Sequence, residues 1–394
     1  MSEAVNDMRD PLERVLAELG PADGLTPRES GVFDALARGA TDAVIFGSGA
    51  LGRILLAAAR ASGVTVVAFA DNKQTLWGTD VEGVPVMSPA DAVSRFNGHA
   101  YFLIGVFNSA APMNQLVELG ATRIVPYPAF YWKFASTIPW APGIELPSRI
   151  VAAAAAMRKG YACLHDDKSR EEFAAQIAWR CTLDYSRLPT ADPGAEIYYT
   201  PELVALTDEE VMVDCGAFDG DSIRLFAAQT GGRFRHVYAC EPDAKNRRAL
   251  GTYIESLPAG ERGHYTVLPY AVGAKDGVVY FNTSGTAGSH MTADASTDAI
   301  DCRTLDTLMA DASPTFVKMD IEGAEPEALG GATATLRRCR PILAVCAYHV
   351  SEHLWTLPSI IAAAVPDYRI SLRRYAEECW EMVYYAVPPE RASR

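Results

Sequence analysis

Four side chains in the C-terminal third of the chain have the types and spacing for proton chemistry. Asp320, Glu322 and Glu325 fall at i, i+2 and i+5 through VKMDIEGAE, and His349 ends the apolar run PILAVCAYH that follows. Carboxylates and an imidazole can together orient and deprotonate a hydroxyl, with His349 as base and Asp320 or Glu322 orienting it. Asp320, Glu325 and His349 also offer ligands for a divalent cation such as Mg or Mn, which would lower a hydroxyl pKa directly. A structural reading stands beside these two: acidic residues favour a helix N-terminus, and a strand-end Asp can accept from backbone amides. His290, in the polar GTAGSHM stretch, is a second-choice site residue.

Two glycine loops could hold ligands. The first runs Asp214-Cys215-Gly216-Ala217-Phe218-Asp219-Gly220 directly after VMV, and Glu241-Pro242 ends the next strand-like run, YACEPD. A carboxylate at such a strand end suits a ligand with an ammonium group and no pyrophosphate, and Glu241 could take both hydroxyls of a ribose. S-adenosylmethionine is such a ligand. The residues read as its site are Asp214, Gly216, Ala217, Asp219, Gly220, Glu241 and Pro242. The second loop, Gly47-Ser48-Gly49-Ala50-Leu51-Gly52, lies between strand-like AVIFG and a helical run, with Asp71 ending VTVVAFAD. That G-x-G-x-x-G context brings a phosphate to a helix N-terminus, so Gly47, Gly49, Gly52 and Asp71 read as a second site for a nucleotide sugar or NAD. The alternative is a degenerate unit whose glycines only make the turn.

The elements that would position these residues alternate strand and helix twice, from Thr41 and again from Glu210. This predicts an α/β protein of two Rossmann-like doubly wound domains. The boundaries expected are a helical segment over 1–40, a nucleotide-binding domain over 41–135, a Pro-rich linker and helical connector over 136–195, and a second domain over 196–394. A short amphipathic helix is expected over Pro11 to Leu19, and a capping box at Ser169 and Glu172 in the connector. The aromatic cluster Tyr127, Phe130, Tyr131, Trp132 and Trp140 lies among prolines expected to stop helices and central strands, and reads as interface. Arg373 and Arg374 fit either a phosphate reader or an edge strand protected by charge.

Composition narrows the function classes. The chain has 394 residues, 49% of them apolar, with 35 Lys and Arg against 49 Asp and Glu, for a formal net charge of -14. That sign disfavours nucleic acid and anionic membranes as partners. The eight cysteines show no paired metal spacing and no disulfide framework, which fits a reducing compartment. The first residues are acidic where a signal peptide needs a basic start, and no apolar stretch reaches membrane-spanning length. The expectation is a cytoplasmic protein, neither exported nor membrane-embedded, with self-association left open.

From about Cys163 to Pro388 the chain resembles FkbM-type methyltransferases in VDCGAFDGDSI, YACEPD, TLDTL, VKMDIEGAEPEALGGA and YHVSEHLWTLP. The resemblance implies a class I methyltransferase fold with a terminal antiparallel hairpin, S-adenosylmethionine as cofactor, and Asp214, Gly216, Gly220 and Glu241 holding it. It further implies O-methylation of a small-molecule or glycan substrate, with a sugar hydroxyl as the leading acceptor and a polyketide or peptide as alternatives. His353 departs from the family, where Asp is common before the Leu-Trp pair. More loosely, IFGSGALG, VVAFADN, the turn Gly83-Val84-Pro85-Val86 and FLIGVFN resemble the nucleotide-sugar-binding domain of certain sugar acyltransferases. A different class of function is a nucleotide-sugar or dinucleotide sensor whose methyltransferase fold is silent.

Overall fold

The computed structural model describes residues 10–22, 34–39, 41–135, 143–282, 290–292 and 298–392. The chain divides into two compact units, Met1–Ala154 with Ala174–Pro189, and Ala155–Phe173 with Thr190–Arg394. The expected connector over 136–195 is therefore not a body of its own, because its residues are shared between the two units.

In the N-terminal unit the helix Pro11–Leu19 forms as predicted. Asp10 caps it by accepting from the amides of Leu12 and Glu13, and Leu12, Val15, Leu16 and Leu19 are buried. Six strands follow: β1 (Asp42–Phe46), β2 (Val66–Ala70), β3 (Asp80–Val81), β4 (Val84–Met87), β5 (Ala100–Ile104) and β6 (Ile124–Pro126). They form a sheet of order β3-β4-β2-β1-β5-β6, parallel except for β3. Prolines do not break the aromatic segment. Pro126 precedes and Pro128 opens the helix Tyr127–Phe134, where a first-turn N–H has no intrahelical partner to lose, and its aromatic residues are buried. Trp140 lies outside the described residues.

The C-terminal unit is built on β7 (Val211–Cys215), β8 (His236–Cys240), β9 (Tyr265–Leu268), β14 (Phe316–Met319), β15 (Ile342–Cys346), β16 (Arg369–Arg374) and β17 (Met382–Val387). Their order is β16-β17-β15-β14-β7-β8-β9. The strands β9, β8, β7, β14 and β15 are parallel, while β17 enters antiparallel between β15 and β16, which is the expected terminal hairpin. Between β9 and β14 the chain adds a four-stranded side sheet from β10 (Ala271–Val272), β11 (Gly277–Asn282), β12 (His290–Thr292) and β13 (Asp298–Arg303). The His290 side chain is outside the described residues.

At the edge, β16 is covered rather than charged outward. Leu164 bridges Ile370, and the His165 amide donates to the Ile370 carbonyl at 2.8 Å. Arg373 and Arg374 are buried; Arg373 pairs with Asp166 at 3.2 Å and with Glu202, and Arg374 with Glu172 at 2.7 Å. Neither a phosphate reader nor a solvated edge describes them, because covering the edge took their charges out of water and made partners obligatory. The same pairing corrects the capping box. Asp166 takes the Ser169 amide at 2.8 Å ahead of the helix Asp167–Thr182, which leaves Glu172 to Arg374. Among the described residues no helix is long and apolar enough to cross a membrane.

Candidate active site

At the carboxyl end of β7 the chain turns through Gly216, whose φ of +85° favours glycine. A Cβ there would lie 1.9 Å from the Asp320 carbonyl oxygen, so the loop after β7 rests directly on the end of β14. Beside this contact opens a cleft of about 410 Å³. Gly216, Pro242, Tyr270, Val272, Asp320 and Glu322 are among the residues that line it.

The residues assigned to the cofactor take different positions. Asp214 is fully buried and already paired: Lys318 Nζ lies 3.0 Å from Oδ1, and Ser222 Oγ donates to Oδ2 at 2.5 Å. Its carboxylate is therefore committed to the strand neighbour and not to an incoming ammonium. Burial raises its pKa against the opposing pull of Lys318. Glu241 Oε2 accepts from the Phe218 amide and Oε1 from the Asp243 amide, both at 2.8 Å, which fixes the carboxylate beside the loop. Asp219 instead pairs with Arg224 at 2.6 Å on the exposed side, while Ala217 is buried and Gly220 starts the next helix at φ +90°.

The acid and imidazole groups do converge. His349 Nδ1 lies 2.9 Å from Glu325 Oε1, and Nε2 lies 3.2 Å from Asp320 Oδ1 and 3.7 Å from Glu322 Oε2. Tyr198 donates to Asp320 at 2.8 Å and Tyr348 at 3.2 Å. Glu325 is fully buried under the amides of Ile321 and Gly323, and His353 Nδ1 approaches its other oxygen at 3.3 Å. Thus His353, despite its departure from the family pattern, has a polar role.

These contacts weigh against His349 as the base. Burial alone would lower its pKa, but Glu325 and Asp320 outweigh that and raise it well above the ordinary value. A ring held between carboxylates is favoured as the imidazolium, which has no lone pair to offer. Burial also opposes ionisation of Glu325 and Asp320. Nevertheless His349 holds Glu325 down to about 2, and Lys318 with His349 holds Asp320 well below the usual range. Glu322 behaves oppositely: burial and the neighbouring carboxylates push it up to about 7, against the pull of His349. It also sits at φ +55°, an uncommon conformation for a residue with a side chain, before Gly323 at +102°. The ligand atoms of Asp320, Glu325 and His349 lie within 4.8 Å of one another. Both nitrogens of His349 face carboxylates in separate directions, so this donor set serves the imidazolium as an ion-pair cage; the geometry does not favour a metal there.

The cage makes stability acid-sensitive. Glu325, depressed from its ordinary 4.5 to about 2, contributes stability that is present above pH 4.5 and lost as pH falls through its folded value. Thermal melts from pH 6 to pH 3 are expected to show this loss. Glu325→Gln should cost about 3–5 kcal/mol at pH 6, the usual result of breaking a buried pair, and flatten the slope; an unchanged slope would contradict the pairing.

Sequence reasoning missed Lys318, Tyr198 and Tyr348. A signal for the first exists: a lysine inside the apolar strand FVKM requires a buried partner. Nothing in the spacing places Tyr198 at Asp320, 122 residues away.

In the N-terminal unit the glycines make the predicted turn. Gly47 has φ +96°, and a Cβ on Gly52 would meet the Gly47 carbonyl at 1.9 Å. Asp71 is held beside this loop by backbone amides, as Glu241 is beside the β7 loop. One oxygen accepts from the Ser48 amide at 2.9 Å and the Ser48 hydroxyl at 2.6 Å, the other from the Lys73 amide at 2.8 Å. The loop's donor is satisfied from within, by a negative charge where a phosphate would need a positive one.

Comparison with known proteins follows this geometry. Residues 214–369 match the family described as the methyltransferase FkbM domain. The crystal structure of methyltransferase FkbM from Methylobacillus flagellatus KT is similar over 96% of this chain and 100% of its own, at 25% identity and a TM-score of 0.77. Weaker likenesses are a putative rRNA methylase from Clostridium thermocellum (10% identity, 50% of this chain and 98% of its own, TM-score 0.34) and a precorrin-6y C5,15-methyltransferase from Geobacter metallireducens GS-15 (11%, 46% and 80%, TM-score 0.29). No curated protein matches the chain. Residues 214–369, with the β7 loop at their start, thus form a methyltransferase FkbM domain, in a chain similar over nearly its whole length to a methyltransferase FkbM structure.

Proposed function

We propose that the chain is an S-adenosylmethionine-dependent O-methyltransferase acting on a hydroxyl of a sugar or glycan intermediate. The observation that carries this reading is a cleft lined by Gly216 of the β7 loop together with Asp320 and Glu322. The cofactor fits the residues present, since the Gly216 loop lines the cleft and Glu241 stands oriented beside that loop. When bound, it supplies an electrophilic methyl group for in-line displacement.

The chain's own residues position the acceptor and manage its proton. Glu322 is the proton acceptor, because its pKa near 7 matches working pH while Asp320 and Glu325 are too weakly basic. His349 orients Glu322 and Asp320 and balances their charge. Asp320, fixed by two phenols, can accept a hydrogen bond from a second hydroxyl, which favours an acceptor with neighbouring hydroxyls such as a sugar.

Calorimetry of the full chain with S-adenosylhomocysteine tests the cofactor half. Glu241→Ala should weaken binding by about 1–3 kcal/mol, roughly 5- to 150-fold, and an unchanged Kd would remove Glu241 from the site. Transfer of labelled methyl from S-adenosylmethionine into sugars of a cell extract tests the acceptor; label appearing only in peptides or polyketides would overturn the sugar assignment.

A further inference from the structure

Lys318 makes polar contacts with two residues that line the cleft, Gly216 and Asp320. It lies in β14 directly across from Asp214 in β7, and it is only 2% exposed. Its ammonium donates to the Gly216 carbonyl at 2.8 Å, lies 3.0 Å from Asp214 Oδ1 and 3.9 Å from Asp320 Oδ2, and sits 5.3 Å from the centre of the Tyr198 ring. Tyr198 in turn donates to Asp320. Pairing with Asp214 alone would account for a buried lysine, since a charge in a parallel sheet must find a partner. It does not account for the contact with Gly216, whose carbonyl belongs to the loop lining the cleft.

We infer that Lys318 is a positioning residue, which fixes the Gly216 carbonyl on the cofactor side and Asp320 on the acceptor side at one separation. The inference rests on the proposed methyl transfer in this cleft. An in-line displacement tolerates little error in the distance between donor and acceptor. A short, rigid connection through one ammonium, inside two central strands, holds that distance without using a mobile loop. Asp320 is thereby kept ionised and aimed, while the loop backbone is kept in the left-handed turn that Gly216 makes.

Replacing Lys318 alone would strand the Asp214 charge, so the test compares charge-neutral pairs in the full chain. Asp214→Asn with Lys318→Met removes both charges and the donor; Asp214→Asn with Lys318→Gln removes both charges but retains an N–H donor. S-adenosylhomocysteine is titrated into each, and backbone hydrogen exchange is followed over residues 214–220. The Met pair is expected to bind roughly tenfold or more weakly than wild type, the scale of one lost charge-assisted hydrogen bond, and to exchange faster across the loop. The Gln pair should recover most of both, with melting temperatures of the two pairs close together. Equal affinity and equal exchange in the two pairs overturn the role of Lys318. If wild type fails to bind S-adenosylhomocysteine, the cofactor reading falls, and exchange over 214–220 still decides whether Lys318 holds the loop.

Discussion

Glu322→Gln is expected to slow methyl transfer about 100- to 10,000-fold, the usual cost of removing a general base, and to leave S-adenosylhomocysteine affinity nearly unchanged. The amide keeps the size and shape of the carboxylate but cannot take a proton. The pH dependence carries a second signature. Glu322 accepts a proton only when ionised, and its pKa is raised to about 7, so wild-type turnover should rise with pH through about 7 and level off above it. Burial, together with the Asp320 and Glu325 carboxylates, is what lifts it. Glu381 provides the control. It too is pushed up to about 7, by burial and by Asp320, and so could produce the same limb. A Glu381→Gln protein that loses turnover while Glu322→Gln retains it would move the base to the hairpin. Full activity in a chelator is expected as well, since the carboxylates are balanced by His349 and Lys318.

Much of this site was legible in the residues, and the misses have a common physical form. The strand-to-helix turns, the terminal hairpin and the helix Pro11–Leu19 follow from local periodicity and turn chemistry, which depend on neighbours a few residues away. The convergence of Asp320, Glu322, Glu325 and His349 also follows, because adjacent parallel strands deliver their carboxyl ends to one side. The protonation states did not follow. His349 reads as a base when its spacing is considered alone; the Glu325 and Asp320 carboxylates, outweighing burial, raise its pKa and weigh against that role. Asp214 reads as a ligand for an ammonium, and it does bind one, but the ammonium is that of Lys318, a hundred residues along. In each case the residue type pointed to the right chemistry and long-range packing supplied a different partner. The prolines before the helix Tyr127–Phe134 erred the other way, since their effect depends on which helical position they occupy.

Gly216→Ala is expected to be the most damaging of the single-atom changes, and it separates a structural glycine from a tolerant one. The added Cβ would stand 1.9 Å from the Asp320 carbonyl oxygen and 3.2 Å from Ile321 Cγ2. Neither side can yield cheaply. The Gly216 amide donates to the Cys240 carbonyl at 3.0 Å and the Asp320 amide to the Cys215 carbonyl at 3.0 Å, so both backbones are held in the sheet. Strain from φ +85° adds about 1–3 kcal/mol and overpacking about 1–3 kcal/mol more. Urea melts should therefore show a loss of several kcal/mol, and the protein that still folds should not bind S-adenosylhomocysteine, because the loop must leave Asp320 to make room. The same substitution at Gly251 should have the opposite sign. That glycine lies within the helix Ala244–Ser256 with nothing within 4 Å of an added Cβ, so alanine gains about 0.5–1 kcal/mol from helix propensity. If Gly216→Ala melted and bound ligand like wild type, the close seating of the loop on β14 would be wrong, and with it the geometry on which both Glu322 and Lys318 depend.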